Sequence, residues 1–155
     1  MKYLSILGST GSIGISTLDV VARNPDKFKV VALAEGHDPA KLSEQIKRFR
    51  PKIVSVRDEA AKKQLMDMGV AGCKVVCGID GACEVASFPD ANLVVSAIVG
   101  VAGLKPTMSA IEAGKDVALA NKETLVAAGP VVMERVRQKG VKLIPIDSEH
   151  SAIFQ

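Results

Sequence analysis

A chain of 155 residues, 48% hydrophobic and 24% charged, is long enough to bury a core of its own and too apolar to remain disordered. Aromatic residues are 3% with no Trp, and 20 basic against 17 acidic residues leave a net charge of +3 with no basic block. These numbers exclude a base-stacking platform and a charged stripe for nucleic acid.

The N-terminal stretch Met1–Gly8 is too short in its apolar part for a signal peptide and reads as a strand. No apolar run is long enough to span a bilayer. From there, short apolar runs alternate with longer amphipathic ones. The spacing predicts strands at Leu4–Leu7, Val30–Leu33, Ile53–Val56, Lys74–Val76, Leu93–Ala97, Val117–Ala120 and Leu143–Ile146. All are apolar on both faces, as buried parallel strands must be. Helices are predicted at Ile13–Arg23, Pro39–Phe49, Glu59–Met68, Gly81–Ala86, Leu104–Ala113 and Leu125–Lys139. Asp38-Pro39 is a helix start, a capping side chain before a proline at the first helical position, and Gly69, Gly114 and Gly140 fall where helices should stop. Cys73, Cys77 and Cys83, an odd count without a C-x-x-C pair, read as small core residues of a protein in a reducing compartment, and the expected location is the cytoplasm.

Strand and helix in repeated alternation imply an α/β fold with parallel neighbours joined by crossover helices on both faces. The first turn sharpens this. Gly8-Ser9-Thr10-Gly11-Ser12-Ile13-Gly14 follows the first strand directly and opens the first helix. In this G-x-x-G-x-x-G spacing Gly8 permits the turn, Gly11 the approach of a pyrophosphate, and Gly14 the packing of helix on strand. The expected architecture is therefore a Rossmann-like, doubly wound, mainly parallel sheet of about seven strands. An acid that grips an adenosine ribose belongs at the end of the second strand, and Glu35 stands 21 residues past Gly14. Gly36, His37 and Asp38 follow, with Asp38 also placed to cap the next helix and Lys41 one turn further on. Taken alone Glu35 favours NAD, and the side chains around it leave NAD and NADP both open.

Two polar triplets end later strands: Asn121-Lys122-Glu123 after the sixth and Asp147-Ser148-Glu149 after the seventh. Ligands of doubly wound sheets bind beyond the carboxyl ends of the strands, so both should face the crevice of the glycine loop. Asp147 and Glu149, two apart, would lie on one side of an extended segment and offer hard oxygen ligands suited to Mg²⁺ or Mn²⁺, with His150 a weaker candidate beside them. A third protein ligand is expected and none is evident in the chain.

The glycine loop with Ser16-Thr17-Leu18-Asp19, the segment Ala97–Thr107, Ala120-Asn121-Lys122-Glu123, and Asp147–Gln155 together resemble the 1-deoxy-D-xylulose 5-phosphate reductoisomerase family along the whole chain. The resemblance implies an NADPH-dependent, metal-dependent enzyme that rearranges and reduces 1-deoxy-D-xylulose 5-phosphate to 2-C-methyl-D-erythritol 4-phosphate, working as a homodimer when complete. Residues 1–155 would be its NADPH-binding domain, with the substrate and C-terminal domains lying beyond the chain and no turnover expected from it alone. The resemblance assigns Thr10, Gly11, Ser12 and Ile13 to the cofactor pyrophosphate and adjoining ribose, Gly36, His37 and Asp38 to the 2′-phosphate, and Asn121 and Glu123 to the nicotinamide end. It assigns Lys122, Ser148 and Glu149 to substrate, Lys122 and Glu149 to catalysis, and Asp147 and Glu149 to the metal. Where the family commonly has a small residue at 35 and basic or amide residues at 37 and 38, this chain has Glu35, His37 and Asp38. The alternatives are the cofactor domain of a semialdehyde or homoserine-type dehydrogenase and a non-catalytic dinucleotide sensor.

Overall fold

Seven apolar runs form strands and the segments between them form helices, in the order β1 (Lys2–Leu7), α1 (Ser12–Arg23), β2 (Phe28–Ala34), α2 (Pro39–Phe49), β3 (Ile53–Val56), α3 (Glu59–Asp67), β4 (Lys74–Cys77), α4 (Gly78–Ala86), β5 (Leu93–Ser96), α5 (Leu104–Glu112), β6 (Asp116–Leu119), α6 (Lys122–Lys139) and β7 (Leu143–Pro145). The computed structural model describes residues 1–120 and 122–146, with the backbone alone at 122–125. The strands make one sheet in the order β4-β3-β2-β1-β5-β6-β7, and every pairing among the described residues is parallel. The chain therefore winds outward from β1 in one direction, returns, and winds outward in the other from β5. The crevice between the carboxyl ends of β1 and β5 is the topological switch point.

Both faces of the sheet are covered, which is why the strands read as continuous apolar runs. On one face Leu18 and Val21 of α1, Leu42 and Ile46 of α2, and Ala61 and Leu65 of α3 pack with Leu4, Ile6, Leu33 and Val54. On the other, Val85 of α4, Ala110 and Ile111 of α5, and Val132 and Val136 of α6 pack with Ala32, Val94, Val117 and Leu119. A register shift between Leu4 and Ser5, which pair with Val30 and Ala32, leaves Val31 as an extra residue in β2. Val30 and Leu33 accordingly face the first core while Val31, Ala32 and Ala34 face the second. Buried hydroxyls are paired across elements: Ser5 Oγ donates to the Val85 carbonyl at 2.8 Å, and Ser96 Oγ lies 2.8 Å from Thr107 Oγ1.

Most boundaries fall within a residue or two of where the sequence places them, and α2 and β3 match at both ends. Asp38 caps α2 by accepting from the Lys41 amide, and Asp58 caps α3 by accepting from the Ala61 amide. Gly69, Gly114 and Gly140 all take positive φ after their helices. Two helices differ from expectation. α4 starts three residues early, at Gly78, directly on the end of β4. α6 starts at Lys122 rather than Leu125, so Lys122 and Glu123 stand in its first turn and not in a loop. It also breaks at Ala128 (φ −143°), because Pro130 has no N–H for the helix ladder and its ring clashes with the preceding turn.

Among the described glycines, the one with least room for a side chain lies in the first turn of α1. A Cβ on Gly14 would stand 2.3 Å from the Gly8 carbonyl oxygen and 2.6 Å from Ser9 Cα, both fixed backbone atoms. Gly14→Ala should therefore force α1 off β1, with a loss of about 3 kcal/mol and a drop of roughly 6–12 °C in melting midpoint. A variant melting within about 2 °C of wild type would show that the turn can relax around the methyl group.

Candidate cofactor-binding site

The glycine loop is held from three sides before any ligand is considered. The Gly8 and Ser9 amides both donate to the Ala34 carbonyl, at 2.7 and 3.0 Å, which ties the turn to the end of β2. Gln45 of α2 donates from Nε2 to the Ser9 carbonyl at 2.9 Å. Gly8 itself has φ +87°, and a Cβ there would meet the Ala97 carbonyl oxygen at 2.7 Å. The loop thus sits wedged between the ends of β2 and β5. Gly11 is different in kind. It is extended (φ −79°, ψ 175°), and a Cβ would meet nothing nearer than 3.6 Å. Nothing among the described residues requires glycine at position 11, so its small size serves the open side of the loop.

Gly11 is also the residue before α1, and no side chain caps that helix or places an acid in its first turn. The first amides of a helix lack partners within it and carry the positive end of its dipole. An uncapped, glycine-flanked helix start is a site for a phosphate anion. Ser12 and Ile13 contribute to it differently. Ser12 is exposed at the helix start, whereas the Ile13 side chain packs against the core, so that position can offer a ligand its amide and little else.

A cleft of about 620 Å³ opens over this loop. Its walls come from the carboxyl ends of five consecutive strands: Gly8, Thr10 and Gly11 after β1, Ala34–Asp38 after β2, Ser55–Arg57 after β3, Gly78, Ile79 and Ala82 after β4, and Ala97–Val99 with Ala102 and Pro106 after β5. That size falls in the range of clefts that take small molecules. The loop after β2 is folded around Glu35, which is buried although charged. Its Oε2 accepts from Thr10 Oγ1 at 3.4 Å, from the His37 amide at 2.7 Å and from the Asp38 amide. Its Oε1 is buried without a partner among the described residues. Gly36, His37, Asp38 and Arg57 also line a second recess of about 460 Å³ that runs between α2 and α3.

The structure brings together Thr10, Gly11, Gly36, His37 and Asp38 as the sequence led one to expect. It places Lys122 and Glu123 at the start of α6, beyond the end of β6 in the same sheet. Asn121, Asp147, Ser148, Glu149 and His150 lie outside the described residues. Ile146, before the acidic segment, is buried and its amide donates to the Leu119 carbonyl at 2.8 Å. Among the described residues no three His, Cys, Asp or Glu side chains converge as metal ligands, and no helix is long and apolar enough to cross a membrane. Sequence reasoning missed Arg57. Its signal, a charged residue directly after an apolar strand, was present in Val56-Arg57-Asp58.

The sequence profile of the 1-deoxy-D-xylulose 5-phosphate reductoisomerase family matches residues 4–129. The chain belongs to this family. A reductoisomerase of Chlorobaculum tepidum is 63% identical over the whole chain, which spans 41% of that relative's length. Among solved structures, the reductoisomerase of Zymomonas mobilis in complex with NADPH superposes with a TM-score of 0.90 at 41% identity, over 99% of this chain and 41% of the other. A reductoisomerase in complex with NADPH, fosmidomycin and magnesium gives a TM-score of 0.89 at 37% identity, over 97% of this chain and 37% of the other. A homoserine dehydrogenase from Archaeoglobus fulgidus, at 22% identity and a TM-score of 0.61, shares the fold alone. Reductoisomerases thus outrank the homoserine-type alternative in both identity and superposition.

The cysteines fit a structural role at the rim of the core. All three are free and half-buried. Burial pushes the Cys73 thiol up to about 11, and the Cys77 thiol is raised mainly by its hydrogen bond to Glu59. Since the thiolate is the reactive form, Cys73 should alkylate with iodoacetamide at pH 8 roughly a hundredfold more slowly than an unperturbed thiol. Site-resolved mass spectrometry measures this, and labelling at the rate of the urea-unfolded chain would contradict a buried thiol.

Proposed function

We propose that residues 1–155 form the NADPH-binding domain of a 1-deoxy-D-xylulose 5-phosphate reductoisomerase. The carrying observation is the uncapped start of α1, reached through the glycine turn and opening into a cleft at the switch point of the sheet. The residues fit a dinucleotide. Gly11 leaves room for a pyrophosphate against the backbone, and the amides of Ser12 and Ile13 with the Thr10 hydroxyl would hold it. Gly36, His37 and Asp38 would flank the adenosine ribose, and Asn121 and Glu123, after β6, would stand toward the nicotinamide end. When bound, the nicotinamide supplies hydride to a substrate carbonyl.

For the complete protein the proposal is conversion of 1-deoxy-D-xylulose 5-phosphate to 2-C-methyl-D-erythritol 4-phosphate, in the cytoplasm and as a homodimer. Lys122, Ser148 and Glu149 would contact substrate, Lys122 and Glu149 serving catalysis. Asp147 and Glu149 would contribute hard oxygen ligands to Mg²⁺ or Mn²⁺, which supplies Lewis-acid polarisation of substrate oxygens. Support comes from the reductoisomerase relatives, two of which are described with NADPH and one of these with magnesium. The homoserine-type alternative finds support in the fold alone.

Calorimetry tests the cofactor half. The wild-type chain should bind NADPH, and Gly11→Val should abolish that binding, because the valine methyls occupy the phosphate approach. Among the described residues, a Cβ at position 11 meets no atom beyond its chain neighbours nearer than the Gly8 carbonyl oxygen at 3.6 Å. The melting midpoint should therefore stay within about 3 °C of wild type, as for a surface substitution. Retained NADPH affinity in a folded Gly11→Val would remove the glycine loop from the binding site.

The metal half makes a separate expectation. Mg²⁺ and Mn²⁺ take about six ligands, largely oxygen, and Asp147 and Glu149 are two carboxylates without a third. Titration of residues 1–155 with Mn²⁺ should show no tight stoichiometric site, whereas a complete reductoisomerase should. Tight binding by this chain alone would mean that its own residues complete the coordination.

A further inference from the structure

We infer that Arg57, at the end of β3, is the residue that admits a 2′-phosphate to this cleft, acting against Glu35, which by itself selects the 2′-hydroxyl. The inference rests on the dinucleotide reading above and goes further, to how the adenosine ribose is recognised. Four observations carry it. First, two amides of the loop after β2 are already taken. The His37 and Asp38 amides already donate to Glu35 Oε2. Second, the nearby helix starts are occupied, α2 by the Asp38 carboxylate and α3 by the Asp58 carboxylate, so both present negative charge where an anion would otherwise dock. Third, Glu35 is only 6% exposed, and its unpartnered Oε1 belongs to a side chain in the cleft wall. That acid in the cleft wall disfavours a phosphate and suits a ribose hydroxyl. On these three counts alone the site would reject a phosphate.

The fourth observation reverses the balance. The large cleft and the recess between α2 and α3 meet at Gly36, His37, Asp38 and Arg57, and among the described residues Arg57 is the one Lys or Arg that lines either. A ribose in the large cleft would direct its 2′-substituent into that junction. Arg57 is anchored through Nε to Asp58 Oδ2 at 3.2 Å, while its terminal nitrogens have no partner among the described residues. Asp58 thereby orients a guanidinium whose outer edge remains available to a phosphate, which arginine binds with paired donors. The strand register makes this possible, since Ala34 pairs with Ser55 and brings residues 35 and 57 to the same edge of the sheet.

The test uses adenosine 5′-monophosphate and adenosine 2′,5′-bisphosphate as probes, because they differ only at the 2′ position and do not involve the nicotinamide end. The wild-type chain should bind the bisphosphate more tightly. Arg57→Gln should lower affinity for the bisphosphate by about tenfold or more, the loss of one charged hydrogen-bonding partner, with little change for the monophosphate. Glu35→Gln should shift the ratio the other way. Arg57 is exposed, so Arg57→Gln folds whether or not Glu35→Gln does. Equal loss for both nucleotides in Arg57→Gln, or no loss for either, overturns the inference while leaving the dinucleotide site standing. A wild-type chain that binds neither nucleotide overturns both.

Discussion

The contact between Gly14 and the Gly8–Ser9 backbone sets the position of the first helix, and through it the position of the anion site. Helix and turn approach so closely that a single methyl group would overlap a carbonyl oxygen. Because Gly8 is itself pressed against the Ala97 carbonyl, the constraint extends to the end of β5 on the far side of the switch point. The start of α1 is thus fixed by backbone on both sides. A site built this way is aimed chiefly by backbone and by the absence of two side chains, with Gln45 as a brace.

The three glycines of the loop carry separable duties. At Gly8 and Gly14 the protein supplies the clash, so glycine is demanded by the fold. At Gly11 the backbone is extended and the space is open, so the demand comes from whatever occupies the cleft. Stability and ligand binding can therefore be altered at neighbouring positions with little overlap. The same separation appears in the hydroxyls. Ser5, Ser96 and Thr107 are buried and paired within the core, whereas the Thr10 hydroxyl reaches the Glu35 carboxylate in the cleft wall.

Much of this architecture was legible in the sequence because parallel strands covered on both faces lose the period-2 alternation and stand out as apolar runs. Asp38 marked the start of α2 and Gly69 the end of α3 for equally local reasons. What escaped was set by tertiary contact. The start of α4 is Gly78-Ile79-Asp80, which lacks an N-cap side chain and is helical because Gly81 lets the helix lie against Ser55 and Val76. Arg50 closes α2 in a left-handed conformation (φ 51°) that glycine or asparagine usually marks. The extra residue Val31 leaves no trace in a run of apolar residues. The candidate cleft was legible where its lining residues follow one another along the chain, in the glycine loop and at Gly36–Asp38. Arg57 belongs to the same wall through strand pairing, 22 positions after Glu35, and no local pattern links the two.

The placement of charge around the ribose explains why local rules gave an unsettled answer about the cofactor. The acid at the end of the second strand is the usual mark of a ribose hydroxyl, and an arginine nearby is the usual mark of a phosphate. This chain carries both, on adjacent strands, with different surroundings. Glu35 is buried and held by three donors, so its position is part of the folded loop. Arg57 is exposed and held by one surface carboxylate. A fixed, buried acceptor sets a constant preference, while an exposed guanidinium is screened and its pull falls as salt rises. Discrimination between the two dinucleotides is then a difference between a rigid term and an adjustable one. The adjustable side lies just after β3, away from the glycine loop in sequence, where substitution leaves that turn undisturbed.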